Sequence, residues 1–229
     1  MNKQYPLELP HQPTYVEADF LHAVCNEAAR DLLDDSENWP NYAACIWGLE
    51  GAGKTHLAQI WARRAGAEVI DLNGLEALDF GCSRKFKIVL DLGIEKLPAA
   101  QETKLFHLLN FSRETRGGLL LVSRDAPARW SVALPDLASR LRALRSSEVL
   151  PPDDGLFAAV LAKQLADRQL VIDKATINYL LLRAERSFAT ARELAARLDR
   201  AALARRSGIT IPLARSVLVE MQKDLLLQE

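Results

Sequence analysis

Residues 48–55 read Gly-Leu-Glu-Gly-Ala-Gly-Lys-Thr. Glycines spaced this way ahead of a Lys-Thr pair are suited to phosphate. They let consecutive backbone N–H groups turn inward around phosphate oxygens, and a helix opening at the lysine adds partial positive charge at the same spot. Lys54 brings a cation to the β- and γ-phosphates and Thr55 offers a hydroxyl to Mg2+. The motif requires a strand before the loop and a helix after it. Ala43-Ala44-Cys45-Ile46-Trp47 has the short apolar run of a buried strand, and Lys54 to about Ala65 continues as a helix. A glycine-rich turn arising by chance has no reason to sit in that context.

Such a site needs a carboxylate at the end of a neighbouring strand to hold the metal's water shell. Phe86-Lys87-Ile88-Val89-Leu90-Asp91 ends in one, which makes Asp91 the candidate. Many ATPases with this loop place a second acid next, to polarise the attacking water. Here the next residue is Leu92, and the next acid, Glu95, is off register, which argues against efficient turnover by this chain alone. Three further residues carry alternative readings. Asp125, just past the strand Gly118–Ser123, either reaches the γ-phosphate or its attacking water, or caps a turn. Arg140, in Leu-Pro-Asp-Leu-Ala-Ser-Arg-Leu (134–141), is either aimed at a neighbouring subunit's nucleotide or is a surface arginine. Arg192, expected in the first turn of a helix capped by Thr190 and Glu193, either reaches back to the phosphates or forms a salt bridge on the helix surface.

The elements that must position these groups follow an α/β order. Apolar runs at 43–47, 67–71, 86–91 and 118–123, with Val149-Leu150 closing a fifth, alternate with helical patterns at 18–35, 54–65, 97–112 and 134–144. Alternation of this kind implies right-handed βαβ units and a mainly parallel sheet between two helical layers. Pro151-Pro152 ends the strand pattern. Helices are expected at 153–168, 174–186, 190–207 and 212–226, with Asp173 capping the second and Pro212 in the first turn of the fourth. The organisation is therefore an extended tail at 1–13, an α/β base at 14–150 and a small all-α lid at 151–229.

Composition excludes several classes. With 49% hydrophobic residues the chain can build a core, and a net charge of −1 argues against a surface that grips DNA unaided. No apolar run approaches the roughly 18 residues a membrane span needs, and Met1-Asn2-Lys3-Gln4 starts no signal peptide, so a cytoplasmic protein is expected. Cys25, Cys45 and Cys82 are scattered and read as reduced thiols. His11, His22, His56 and His107 are isolated and form no metal set.

Taken together, the loop, Asp91, Asp125, Ser-Arg-Leu (139–141) and Ala-Arg-Glu-Leu (191–194) resemble the AAA+ core of the DnaA-related family, most closely its Hda-type regulators of replication initiation. The resemblance spans about residues 14–222 and includes Gly-Ala-Gly-Lys-Thr-His-Leu (51–57) and Ile-Thr-Ile-Pro (209–212). It implies an AAA+ base that binds ADP or ATP with Mg2+ through Gly48, Gly51, Ala52, Gly53, Lys54, Thr55, His56, Asp91 and Arg192. Thr55 and Asp91 hold the metal, Asp125 is sensor 1, Arg192 sensor 2, and Arg140 an arginine finger acting in trans. It also implies that Gln4, Leu7 and Leu9, in Gln-Tyr-Pro-Leu-Glu-Leu (4–9), dock on the replicative sliding clamp. The implied partners are the clamp and the DnaA initiator. DNA is reached only through them, and self-association is left open. No DNA-binding helix-turn-helix is expected after the lid. After Leu141 the family usually has Asp or Gly followed by Trp-Gly, whereas this chain has Arg142-Ala143-Leu144. The rival functions are an ATPase of helicase or clamp-loader type, a P-loop kinase, and an adaptor that no longer uses nucleotide.

Overall fold

The computed structural model describes residues 20–79, 87–93 and 97–226. Gln4, Leu7, Leu9, His11, Cys82, Phe86 and Glu95 lie outside them. Five described strands, β1 (Ala43–Trp47), β2 (Glu68–Ile70), β3 (Lys87–Asp91), β4 (Gly118–Ser123) and β5 (Arg145–Glu148), form one sheet in the order β2-β3-β4-β1-β5. Every pairing is parallel. The register sets Trp47 beside Ser123 and Asp91 beside Val122. The segments leaving β1, β3 and β4 therefore emerge together at one carboxyl edge, where open parallel sheets bind ligands.

Both faces of the central strands are buried, so alternate residues feed two cores. On one face α1 (Val24–Asp34) and α2 (Lys54–Ala65) enclose Ala29, Leu33, Ile46, Leu57, Trp61, Val89 and Leu120. Trp39 stacks on Trp61 there at 5.0 Å and donates its indole N–H to Leu32 O at 2.7 Å. On the other face α3 (Leu72–Ala77), α4 (Ala99–Thr115) and α5 (Pro135–Ala143) cover Cys45, Ile88, Leu90, Leu105, Leu121, Leu137 and Leu141. Cys45 is fully buried, with Sγ 3.5 Å from the Ser123 hydroxyl, and burial pushes its thiol up to about 12.

After Pro151-Pro152 come α6 (Asp154–Ala166), α7 (Lys174–Leu181), α8 (Phe188–Arg205) and α9 (Ile211–Leu226), closed on their own core of Phe157, Leu161, Leu180, Leu194, Leu198 and Val217. Asp173 caps α7 as expected, accepting Thr176 N–H at 2.6 Å, and Pro212 lies in the first turn of α9. The start of α8 differs from expectation. Its cap is Ser187, whose hydroxyl accepts Thr190 N–H at 2.9 Å. The Thr190–Glu193 capping box is not formed; the Glu193 carboxylate bonds Arg197 at 2.5 Å instead. The fifth strand is Arg145–Glu148, mostly exposed at the sheet edge, and Val149 lies just beyond it, donating its N–H to Trp47 O at 2.7 Å. The first helix starts at Val24 because Asn26 ties the chain off, accepting Ala23 N–H and donating to Leu21 O. No described helix is long and apolar enough to cross a membrane.

Candidate functional site

The loop after β1 turns back over the sheet edge, and α2 opens at Lys54 behind Gly53. Its position is fixed from below by Gly48 N–H, which donates to Arg124 O at 3.2 Å. Lys54 Nζ closes the loop from within, donating to Gly48 O at 2.6 Å and Leu49 O at 2.7 Å. Burial pulls the Lys54 ammonium below its ordinary range; the Asp91 charge opposes that shift, while Arg124 adds to it. A half-buried cation bonded to loop carbonyls gains from an anion.

Thr55 and Asp91 meet at the same edge, Thr55 Oγ1 standing 3.4 Å from Asp91 Oδ2. Burial is the main cause that raises the Asp91 carboxyl above its usual range, against the lowering effects of Gly93 N–H, Lys54 and Thr55. A divalent cation reverses that preference. One hydroxyl and one carboxylate suit Mg2+, which keeps waters and takes further oxygens from bound phosphate. Among the described residues no trio of His, Cys, Asp or Glu forms an independent metal site. Leu92 follows Asp91 into the apolar core, 5% exposed, with its N–H on Val122 O at 2.9 Å. No general base stands at that position.

The lid touches the loop directly. Phe188 N–H donates to Gly51 O at 2.8 Å. Gly51 has φ +73°, and a Cβ there would fall 2.8 Å from Ser187 Cβ; Gly53 has φ +97° and faces the Phe188 ring at 3.1 Å. Only glycine tolerates both the left-handed backbone and such close approach. Arg192 lies in the second turn of α8, one turn beyond Phe188 on the same face, not in the first turn. It is exposed, and among the described residues its guanidinium has no acidic partner, so the salt-bridge alternative is not realised.

The other sequence candidates are distributed as follows. Asp125 lies at the same sheet edge but is exposed, its carbonyl accepting from the Ser123 hydroxyl at 2.8 Å and from Trp130 Nε1–H at 2.9 Å. His56 packs edge-on to Phe20 at 5.1 Å, towards the start of the described chain. Arg140 is not part of this cluster. It sits in the last turn of α5, which runs down to β5, whose Arg145 pairs beside Ala44 near the start of β1. Its guanidinium lies 5.1 Å from the Phe106 ring centre. The Glu102 carboxylate, 3% exposed, anchors the other end of α5 by accepting Ala133 and Leu134 N–H at 2.9–3.0 Å. Sequence reasoning missed Ser187 and Phe188 as loop contacts, and it missed the Arg124–Glu50 ion pair at 2.7 Å. The Ser-Phe pair just ahead of the α8 pattern was the available signal for the first two.

This architecture is that of AAA+ proteins. It superimposes on domain III of the replication initiation protein DnaA from Thermotoga maritima with a TM-score of 0.76, at 18% identity, over 93% of this chain and 98% of that one. Residues 154–218 match the family model for the Hda lid domain. The lid thus resembles that of Hda, and the chain as a whole shares the fold of DnaA domain III. A Haemophilus influenzae protein described as uncharacterized is 28% identical across 95% of this chain and 99% of its own length. AMPPCP-bound DnaA from Aquifex aeolicus aligns with a TM-score of 0.64 at 18% identity, this chain covering 64% of its length. The RuvB branch migration motor of T. maritima shares the fold, with a TM-score of 0.65 at 14% identity.

Proposed function

We propose that this chain is a nucleotide-bound regulator of chromosome replication which, with the DNA-loaded sliding clamp, stimulates ATP hydrolysis by DnaA and so represses re-initiation. The observation that carries the reading is the separation of two half-sites. Lys54, Thr55 and Asp91 can hold an adenine nucleotide, but buried Leu92 leaves that site without a base. Arg140, braced over Phe106 and without an acidic partner among the described residues, lies away from it. A chain built this way holds its own nucleotide and lends a guanidinium to a partner's.

Lys54 and the loop amides bind the phosphates, and Thr55 and Asp91 hold Mg2+, which when bound neutralises phosphate charge. Ser187 and Phe188 keep the lid on the loop, so the bound nucleotide stabilises the whole docking-competent shape. Arg140 then completes the partner's site: a guanidinium stays charged, and its planar fork bridges two phosphate oxygens as charge builds up in phosphoryl transfer. A finger of this kind contributes roughly 10³–10⁵ in rate elsewhere. A smaller effect is expected here, because Arg142-Ala143-Leu144 replaces the usual flanking residues.

The test is single-turnover ATP hydrolysis by DnaA with DNA-loaded clamp. The wild-type chain accelerates it. Arg140→Ala folds, binds ADP and binds clamp, but fails to accelerate hydrolysis, and Arg140→Lys rescues poorly. Full stimulation by Arg140→Ala overturns the finger assignment, and robust turnover by the isolated chain overturns the regulatory reading in favour of an ATPase motor.

A further inference from the structure

Several lid arginines are neutralised by carboxylates: Arg186 pairs with Asp154, Arg197 with Glu193 and Asp224, and Arg168 with Asp199. Arg183 and Arg215 have no carboxylate partner among the described residues, and both gather instead on one aromatic ring. Tyr179 lies on α7 and packs against the lid core. The Arg183 guanidinium, one turn further along the chain, lies 4.1 Å from the ring centre, and its Nη1 donates to Tyr179 O at 3.3 Å. Arg215 crosses from α9, its Cζ 5.9 Å from the same centre and its Nε–H donating to the Tyr179 hydroxyl at 3.3 Å. Both arginines are exposed. Two apolar side chains border them: Leu182, 78% exposed, one turn beyond Tyr179, and Val219, 44% exposed, one turn beyond Arg215.

We propose that this patch docks an acidic, partly apolar segment of a protein partner, whose carboxylates take Arg183 and Arg215 while its aliphatic side chains cover Leu182 and Val219. Charge complementarity selects that occupant. In a chain of net charge −1 these two guanidiniums face water without an acid, and their planar fork matches a carboxylate. Stacking on Tyr179 holds them in place before a partner arrives, which reduces the entropy lost on binding. Tyrosine and arginine are also the residue types that dominate binding energy at protein interfaces. Nucleic acid fits less well. Single-stranded sites stack bases on open aromatic faces, whereas the Arg183 guanidinium covers the Tyr179 ring where it is not packed on the core. A phosphate backbone also offers nothing to Leu182 or Val219. The patch uses none of Lys54, Asp91 or Arg140, so it stands whether or not the chain binds nucleotide.

The probe is a fluorescein-labelled amphipathic peptide with Glu and Leu at helical spacing, titrated against the full chain by fluorescence anisotropy. The same peptide with every Glu replaced by Gln, and a thymidine oligonucleotide, are run beside it. The acidic peptide binds the wild-type chain, and more weakly as salt rises. Arg183→Gln and Arg215→Gln each weaken it about tenfold, as expected for a lost charge-assisted bond. Arg183→Lys, which keeps the charge but loses the planar stack, falls in between. The Gln peptide binds wild type no better than it binds the double variant. Thermal melts of each variant separate docking from a purely structural role. If the cluster only staples α7 to α9, the substitutions lower Tm and leave peptide affinity at the wild-type value, which overturns the inference. No binding of the acidic peptide by the wild-type chain overturns it too, as does an oligonucleotide that binds more tightly than the peptide and is lost in the same variants. Should the double variant not fold, Leu182→Ser, which removes no side-chain hydrogen bond, still decides: it must weaken the acidic peptide.

Discussion

Gly51→Ala measures how firmly the lid holds the phosphate loop. The backbone at Gly51 has φ +73°, a left-handed conformation that costs an L-residue about 1–2 kcal/mol. The added methyl would lie 2.8 Å from Ser187 Cβ and 2.9 Å from Ser187 Oγ. The Cβ is fixed to the backbone and the Oγ is held by the cap on Thr190 N–H, so the start of α8 must retreat. That retreat gives up the bond from Phe188 N–H to Gly51 O, worth about 0.5–1.5 kcal/mol. It also disturbs the Ser187 cap, for which loss of the hydroxyl costs about 0.5–2 kcal/mol. The expected destabilisation is about 2–5 kcal/mol, a fall in Tm of roughly 5–15 °C for a chain of this size. The assay is calorimetric unfolding without ligand, repeated in a Ser187→Gly background. There the clashing side chain and the cap are already gone, so the same alanine costs only its backbone contribution of about 1–2 kcal/mol. Additive penalties within about 0.5 kcal/mol, or a Tm unchanged by Gly51→Ala alone, refute direct packing of Ser187 on the loop.

Mg-ADP at 100 times Kd should stabilise the wild-type chain by about 2.7 kcal/mol and Lys54→Ala by far less; equal thermal shifts in the two proteins contradict the role of Lys54. Asp91→Asn separates ligand binding from stability. Because burial raises the Asp91 carboxyl above its ordinary 3.8, the unfolded chain releases this proton first as pH rises. Stability without ligand therefore falls between 3.8 and the raised value and stays reduced above it. Asparagine has no such slope, so the variant gains on wild type as pH rises across that window, while its Mg-nucleotide affinity drops. Urea melts over the acid range check this, and a gap that is flat or narrows with pH counts against it. For the tail, Gln4, Leu7 and Leu9 together replaced by Ala should abolish clamp capture with the melting curve unchanged. Undiminished affinity in a surface-plasmon titration rules the tether out.

The strand, loop and helix around residues 48–55 were legible because their pattern is local: glycine spacing, a preceding apolar run and a following helix lie within about twenty residues. β1, β3 and β4 were legible for a related reason, since strands buried on both faces must be apolar throughout. The misjudged elements are those whose identity is set by distant neighbours. Arg145–Glu148 has no strand pattern of its own and is a strand only because β1 offers it a ladder. Ser187 and Thr190 both carry a hydroxyl able to cap α8, and the Phe188–Gly51 contact from the base accompanies the start at Ser187. Asp71 was read as the end of a strand. It instead accepts Gly74 N–H at 2.8 Å and starts α3, a helix too short to show periodicity. The side to which Arg124 turns depends on strand register, which no local pattern states.

Cys45 gives the protein an internal reporter of its own opening. Thiolate is the species that reacts with alkylating reagents, and a thiol held at about 12 in a fully buried strand supplies almost none of it. A reagent therefore modifies Cys45 only in molecules whose sheet has parted. β1 lies between β4 and β5 and leads straight into the phosphate loop. Its labelling rate consequently counts cooperative openings of the base and is blind to fraying within α6–α9. Any ligand that grips residues 48–55 must slow that clock by the factor 1 + [L]/Kd. Peptide mass mapping separates this signal from Cys25, which is only half-buried and responds to the edge of the fold. Ligand affinity can thus be read on the wild-type chain, without dye, tag or substitution.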